Sequence, residues 1–235
     1  MHNDAAKIER QAVKSPSRLL SLRETMVLSG TTEREKDIRN DIAHGAFPET
    51  NVIRLSDTHL RFQWPHVWVF AAVYGNKLLR DPESRRSALQ KVIWEWTDGS
   101  GHRPLAKFPN SIFGGNTGWY DFFSSCENLK VTIDIDSYLT IDIGKVCRDV
   151  NPRICAYAKG LGRIEKRDEI LGGTAVFRGS RISVLHIGKM AERKGSVIEI
   201  MEDYDLTKTD VEFAELYYRA RPLAGRRRGR QTSLI

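Results

Sequence analysis

At 235 residues with 40% apolar content, the chain can bury the core of one large or two to three small domains, and no apolar run reaches the length of a membrane span. The opening Met1-His-Asn-Asp-Ala-Ala-Lys lacks the apolar stretch of a secretory signal, and three cysteines (Cys126, Cys147, Cys155) without CxxC spacing argue against a disulfide framework or zinc ribbon and suit a reducing cytoplasm. The net charge of +7 is uneven: residues 1–50 sum to 0, 51–165 to +3 and 166–218 to −2, while the last 17 residues hold six arginines and no acid. The basic balance is therefore chiefly one tail, and charge alone gives no reason to lay the body on nucleic acid.

Residues 1–17 are polar and unpatterned, which predicts a mobile lead-in. Ser21-Leu-Arg-Glu24 and Thr32-Glu-Arg-Glu35 then repeat one capping pattern, a hydroxyl at the N-cap and a glutamate three residues on. They predict a helix from Leu22 to Leu28, a break at Ser29-Gly30, and a second helix from Glu33 to Ala43 ending at His44-Gly45. That is a helix-turn-helix, assigned to residues 18–48. On the second helix Ile38 and Ile42 must face inward, which turns Lys36, Asn40 and His44 outward with Arg39 on the flank. Asn is a residue type that pairs bidentately with adenine, and lysine meets phosphate, so this face is the candidate DNA reader with Arg23 and Arg34 near the backbone. A merely solvated face is the alternative, since Glu33, Asp37 and Asp41 share the helix.

Residues 49–165 form a mixed α/β middle segment. Asn51–Arg54 and His59–Gln63 read as strands, Pro65 opens a helix to about Leu79, and Asp81-Pro82-Glu83 opens another to Trp96. Trp64, Trp68, Trp94 and Trp96 are assigned to the core. The glycine-rich Gly114-Gly-Asn-Thr-Gly118 has no Lys-Ser/Thr after it and is not a phosphate loop. Leu129–Ile135 and Leu139–Ile143 alternate strictly, which predicts a hairpin pairing Ile133 with Ile141 and Ile135 with Leu139. Its outer face carries Asp134 and Asp142, a pair that in a nuclease holds Mg²⁺ and in an ordinary sheet is just the polar side. A helix from Gly144 to Ile164 follows. No catalytic triad, metal-ligand set or cofactor motif is found, so no catalytic residue, metal or cofactor is assigned.

The C-terminal module, 166–222, opens with Leu171-Gly-Gly-Thr-Ala-Val-Phe-Arg-Gly-Ser-Arg-Ile-Ser-Val184. Ala175–Phe177 and Ile182–Val184 predict a wing around Arg178-Gly179-Ser180, with helices at Leu185–Arg193, Val197–Tyr204 and Thr209–Tyr218 behind it. The wording of this stretch, followed by Gly195-Ser196-Val-Ile-Glu199-Ile200, Tyr204 and Leu206-Thr207-Lys-Thr-Asp210-Val211, closely resembles an antitoxin family catalogued as a domain of unknown function (DUF433). It departs from the usual pattern at Ala175, Ser180 and Ser183, where Pro, Thr and Pro are common. The residues around 18–48 resemble the MerR-like helix-turn-helix that some long members of this family carry.

The resemblance implies a VapB-type antitoxin of a type II toxin–antitoxin pair with a PIN-like ribonuclease toxin as partner. The expected fold is α+β and mostly helical, with winged or helix-turn-helix modules at both ends. The protein is expected to bind its own operator, to form a homodimer through the wing residues Val176, Phe177 and Ile182, and to make no membrane contact. The flexible tail, 223–235, is expected to reach a toxin's carboxylates with Arg226, Arg227, Arg228 and Arg230, with Leu223 as anchor. A stand-alone repressor and, behind it, a metal-dependent nuclease are the alternatives.

Overall fold

Ser21 has two roles. With Leu20 it forms strand β1 (Leu20–Ser21), and its hydroxyl accepts the Glu24 N–H while the Glu24 carboxylate accepts the Ser21 N–H. The first capping box is thus closed in both directions at the start of helix α1 (Leu22–Ser29). The computed structural model describes residues 19–47, 52–56, 59–96, 132–193 and 196–221, without the side chains of 52–56, 59 and 94–96. The lead-in, the 114–118 loop, the first residues of the predicted 129–135 strand, the tail and the Trp94 and Trp96 side chains lie outside it. The chain divides into two units, Met1–Gly162 and Arg163–Ile235, each described by itself.

In the first unit α1 ends at Gly30, whose φ of 75° lets its N–H return to the Met26 and Val27 carbonyls. A 3₁₀ turn, Thr32–Arg34, leads into helix α2 (Glu35–Ala43). The second predicted capping box does not form. The helix starts two residues later than expected with no side-chain cap, and Glu35 binds Arg39 and Arg23 instead. Strands β2 (Val52–Ser56) and β3 (His59–Phe62) follow, and β3 lies in the middle of an antiparallel sheet of order β1-β3-β2. Leu20 and Val52 are both in register with Phe62. The two strands read as part of a middle segment therefore close a sheet with the residues leading into α1, and the hairpin flanks the helix-turn-helix as a wing.

Helix α3 (His66–Tyr74) is apolar nearly all round and buried, and it ends at Gly75, short of the predicted Leu79. Helix α4 (Pro82–Trp96) starts where expected, with the Asp81 carboxylate accepting the Ser84 N–H at 2.8 Å. The hairpin of β4 (Thr132–Asp134) and β5 (Thr140–Asp142) has the predicted register, Ile133 opposite Ile141 and Asp134 opposite Thr140. Helix α5 (Ile143–Leu161) begins directly after it, capped by Asp142, whose carboxylate accepts the Lys145 N–H. The core joins α1, α3 and α5. Trp68 Nε1 donates to Asn151, and the Tyr157 hydroxyl donates to the buried Glu24 carboxylate at 2.6 Å. His66 is buried among Phe47, Phe62 and Phe70. Burial pushes its imidazole down to about 4, against the opposing pull of the Gln63 carbonyl.

The second unit starts with strand β6 (Ile164–Glu165), whose Ile164 is the predicted end of the preceding helix. It pairs antiparallel with β7 (Val176–Phe177), so the wing gains a strand. The other side of the predicted wing is narrower than a ladder, a single bridge from Val176 to Ser183 with Phe177 N–H donating to the Ile182 carbonyl. Ser183 is already the cap of helix α6 (Val184–Glu192). Helices α7 (Val197–Tyr204) and α8 (Lys208–Ala220) follow, the last with a closed Thr207–Asp210 capping box. Gly188 sets the α6–α8 contact: a methyl group there would land on the Ala214 carbonyl oxygen and the Tyr218 Cβ. The fold is thus mostly helical α+β, with a winged module in each unit.

Candidate nucleic-acid interface

The outward face of α2 is as the sequence placed it. Ile38 and Ile42 are buried, while Lys36, Arg39, Asn40 and His44 are exposed. Neither the Lys36 amine nor the Asn40 amide has a partner among the described residues, so both are available to a ligand. Arg39 forms an ion pair with Glu35 at 2.8 Å, and Arg23 reaches the same carboxylate at 3.4 Å. Arg39 is solvent-facing, and such an exposed pair contributes about 0–1 kcal/mol, so a phosphate can displace it at little cost; Arg23 is half-buried. His44 Nδ1 donates to the Asn40 carbonyl at 2.7 Å and closes the helix end. Arg34 is placed differently. Its guanidinium donates to Asp37 at 2.6 Å and to the Leu79 carbonyl at 3.0 Å, so it fastens α2 to the loop before α4 rather than facing solvent.

What holds this face still lies behind it. Arg85, on α4, forks onto Asp41, with Nε 2.6 Å from Oδ2 and a terminal nitrogen 3.2 Å from Oδ1. The Tyr74 hydroxyl donates to the same carboxylate at 3.2 Å, and Arg85 also donates to the Arg80 carbonyl. Arg85 is 1% exposed and Asp41 0%. Burial and the adjacent Asp41 charge push the Tyr74 phenol well above its ordinary value, so it stays a donor. A bidentate pair of this kind fixes orientation as well as distance, because a planar fork accepts a carboxylate in one plane. The end of α1 is also held, since Arg153 of α5 donates to the Leu28 carbonyl at 2.7 Å. Nothing in the sequence marks Asp41, Tyr74, Arg85 or Arg153 as fastening residues. The only trace is that Asp41 lies about 60° from Ile38 on the helical wheel, at the edge of the inward face.

The wing adds Arg61 on β3, half-buried and next to the inward Phe62, with no ion pair among the described residues. Beside the first turn of α2, an open cleft of about 460 Å³ is lined by Glu33, Arg34, Asp37, Tyr74, Gly75, Lys77 and Arg80, with Glu33, Lys77 and Arg80 exposed.

The remaining candidates are placed elsewhere. Val176 and Phe177, expected at a dimer contact, are 0% and 5% exposed within their own unit, and Ile182 is half-buried. The first two are buried, so they offer no exposed face. Leu223, Arg226, Arg227, Arg228 and Arg230 lie outside the described residues. On the hairpin, Asp142 caps α5 and Asp134 accepts the Thr140 hydroxyl at 2.9 Å, so each carboxylate has a structural partner. Among the described residues no helix is long and apolar enough to cross a membrane.

Residues 164–218 match the family model DUF433, a protein of unknown function. That match begins at β6 and ends within α8, so it coincides with the second folded unit. Over 92 residues the chain is 33% identical to the uncharacterized protein y4eO of Sinorhizobium fredii, covering 39% of this chain and 42% of that protein. The chain thus matches less than half the length of this relative. No solved structure matches.

Proposed function

We propose that the protein is a DNA-binding antitoxin that docks α2 of the first unit in a major groove of its own operator. The observation that carries the DNA half is the exposed Lys36, Arg39, Asn40 and His44 face on a helix locked from behind by the buried Asp41–Arg85 fork. Reading bases requires side chains that reach solvent from a helix that does not rotate, and this one meets both conditions. Arg23 on α1, Arg61 on the wing, and Lys77 and Arg80 at the cleft supply phosphate contacts around the groove. Arg34 positions α2 and makes none.

The antitoxin half rests on the resemblance of the 166–220 stretch and on the arginine tail. A PIN-like ribonuclease needs clustered carboxylates for its metal, and arginine forks match such a cluster bidentately. In this reading the protein works in the cytoplasm as a homodimer, and no catalytic step is assigned to it. Two measurements test the proposal. Fluorescence anisotropy with the upstream intergenic DNA should show specific binding that is lost when α2 is altered. Co-expression with the neighbouring reading frame should relieve growth arrest caused by that neighbour. A neighbour harmless on its own would leave the DNA-binding repressor and remove the antitoxin.

A further inference from the structure

Helix α7 shows an apolar spot inside an acidic field. Ile198 is 66% exposed and Val197 40%, unusual for aliphatic residues on a short helix whose inner residue, Ile200, is 2% exposed. Glu202 lies one turn beyond Ile198, Glu199 and Asp203 lie beside them, and Asp205 follows the helix end. All four carboxylates are exposed, and none is in an ion pair among the described residues. A second copy laid on this face by two-fold symmetry would oppose acid to acid, and DNA or an anionic surface would be repelled. The complementary occupant is a basic segment with apolar side chains.

We infer that α7 is the docking site for the C-terminal segment of the same chain, residues 222–235. That segment carries Arg226, Arg227, Arg228 and Arg230 with no acidic residue, and has Leu223, Leu234 and Ile235 to meet Ile198 and Val197. It leaves from Arg221, at the end of α8 in the same unit. Fourteen residues span up to about 45 Å, several times the roughly 12 Å length of α7, so reach is not limiting. Tethering supplies an effective concentration on the order of millimolar, so a few charge-assisted contacts over one apolar anchor suffice to keep it docked. The acidic helix thereby holds the arginines until a stronger array of carboxylates, or DNA phosphate, competes for them. This inference concerns the unbound protein and does not depend on the toxin or operator reading.

Hydrogen exchange of the α7 amides tests it, with no partner present. The full chain, a chain ending at Arg221, and a full-length chain with the four tail arginines changed to glutamine are compared. Exchange across 197–204 should be slowed on the order of tenfold in the full chain relative to both variants. The slowing should fade at high salt and not vary with protein concentration. A synthetic 222–235 peptide at about millimolar concentration should restore it to the truncated chain. Equal exchange in all three proteins would overturn the inference. So would protection that grows with protein concentration, which assigns the face to a second copy.

Discussion

Replacing Arg85 by methionine keeps most of the side-chain volume but leaves the Asp41 carboxylate, 0% exposed, with the Tyr74 hydroxyl alone among the partners described above. Breaking a buried pair from one side costs about 3–5 kcal/mol, because the remaining charge is neither solvated nor neutralised. Against a total stability of about 5–15 kcal/mol for an ordinary domain, that loss is large. Removing both charges with Asp41→Leu and Arg85→Met should recover most of it, since an apolar pair of similar volume needs no compensation. Urea unfolding followed by far-UV circular dichroism would give the two single changes and the double change on one scale, and the coupling between them. The operator affinity of the double variant separates stability from position: with the fork gone, α2 remains packed by Ile38 and Ile42 but loses its fixed rotation, so specific binding should weaken more than binding to random DNA. A loss below about 1 kcal/mol for Arg85→Met, or strict additivity in the cycle, would refute the buried fork as the element that fixes α2.

Further outcomes follow from other parts of the molecule. Asn40→Ala should narrow the gap between operator and random DNA by about 1–3 kcal/mol, while Lys36→Ala should weaken both and lower the salt slope by about 1 in a titration at several ionic strengths. Gly188→Ala should destabilise the second unit by about 1–3 kcal/mol or more, since the new methyl meets backbone oxygen rather than a movable side chain; differential exchange in α6 and α8 would show it. His66 has a folded value near 4 against 6.5 unfolded, so the unfolded chain binds the proton first and stability falls as pH drops from about 6.5 to 4, by up to about 3 kcal/mol. A His66→Phe variant should lack that part of the pH dependence in thermal melts at pH 4, 5 and 7. Truncation after Tyr218 should abolish or strongly weaken relief of toxicity in co-expression while leaving operator affinity largely in place. Loss of DNA affinity with a reduced salt slope, and toxicity still relieved, would make the tail a nucleic-acid arm.

Elements whose information is local were legible in the sequence. The Ser21–Glu24 box, the Asp81-Pro82 start and the strict alternation on either side of Ser137 each fix a structure within about ten residues, and each appears where predicted. The local signal at Thr32–Glu35 failed because a competing partner won: Glu35 is within reach of two arginines, and the chain enters α2 through a 3₁₀ turn. Longer-range pairings were not legible. Nothing in Leu20-Ser21 announces a strand, since two residues carry no period. Ile164 falls three residues after Leu161 and keeps the apolar spacing of α5, although the helix has already ended at Gly162.

The candidate site divides along the same line. Its outer face is a matter of helical periodicity, and Ile38 with Ile42 was enough to place Lys36, Asn40 and His44 outward. Its inner fastening depends on residues 33 and 44 positions from Asp41, Tyr74 and Arg85, and no pattern along the chain links them. Charge on its own misleads here, because Asp41 and Arg85 read as ordinary surface residues until α4 brings them together. The same holds for Arg34, which was placed toward DNA by residue type and is drawn inward by the Leu79 carbonyl. A basic residue beside a recognition helix therefore has to be assigned from what it already binds. By that criterion the face proposed for DNA is smaller than the set of nearby cations and centres on Lys36 and Asn40, whose side chains have no partner among the described residues.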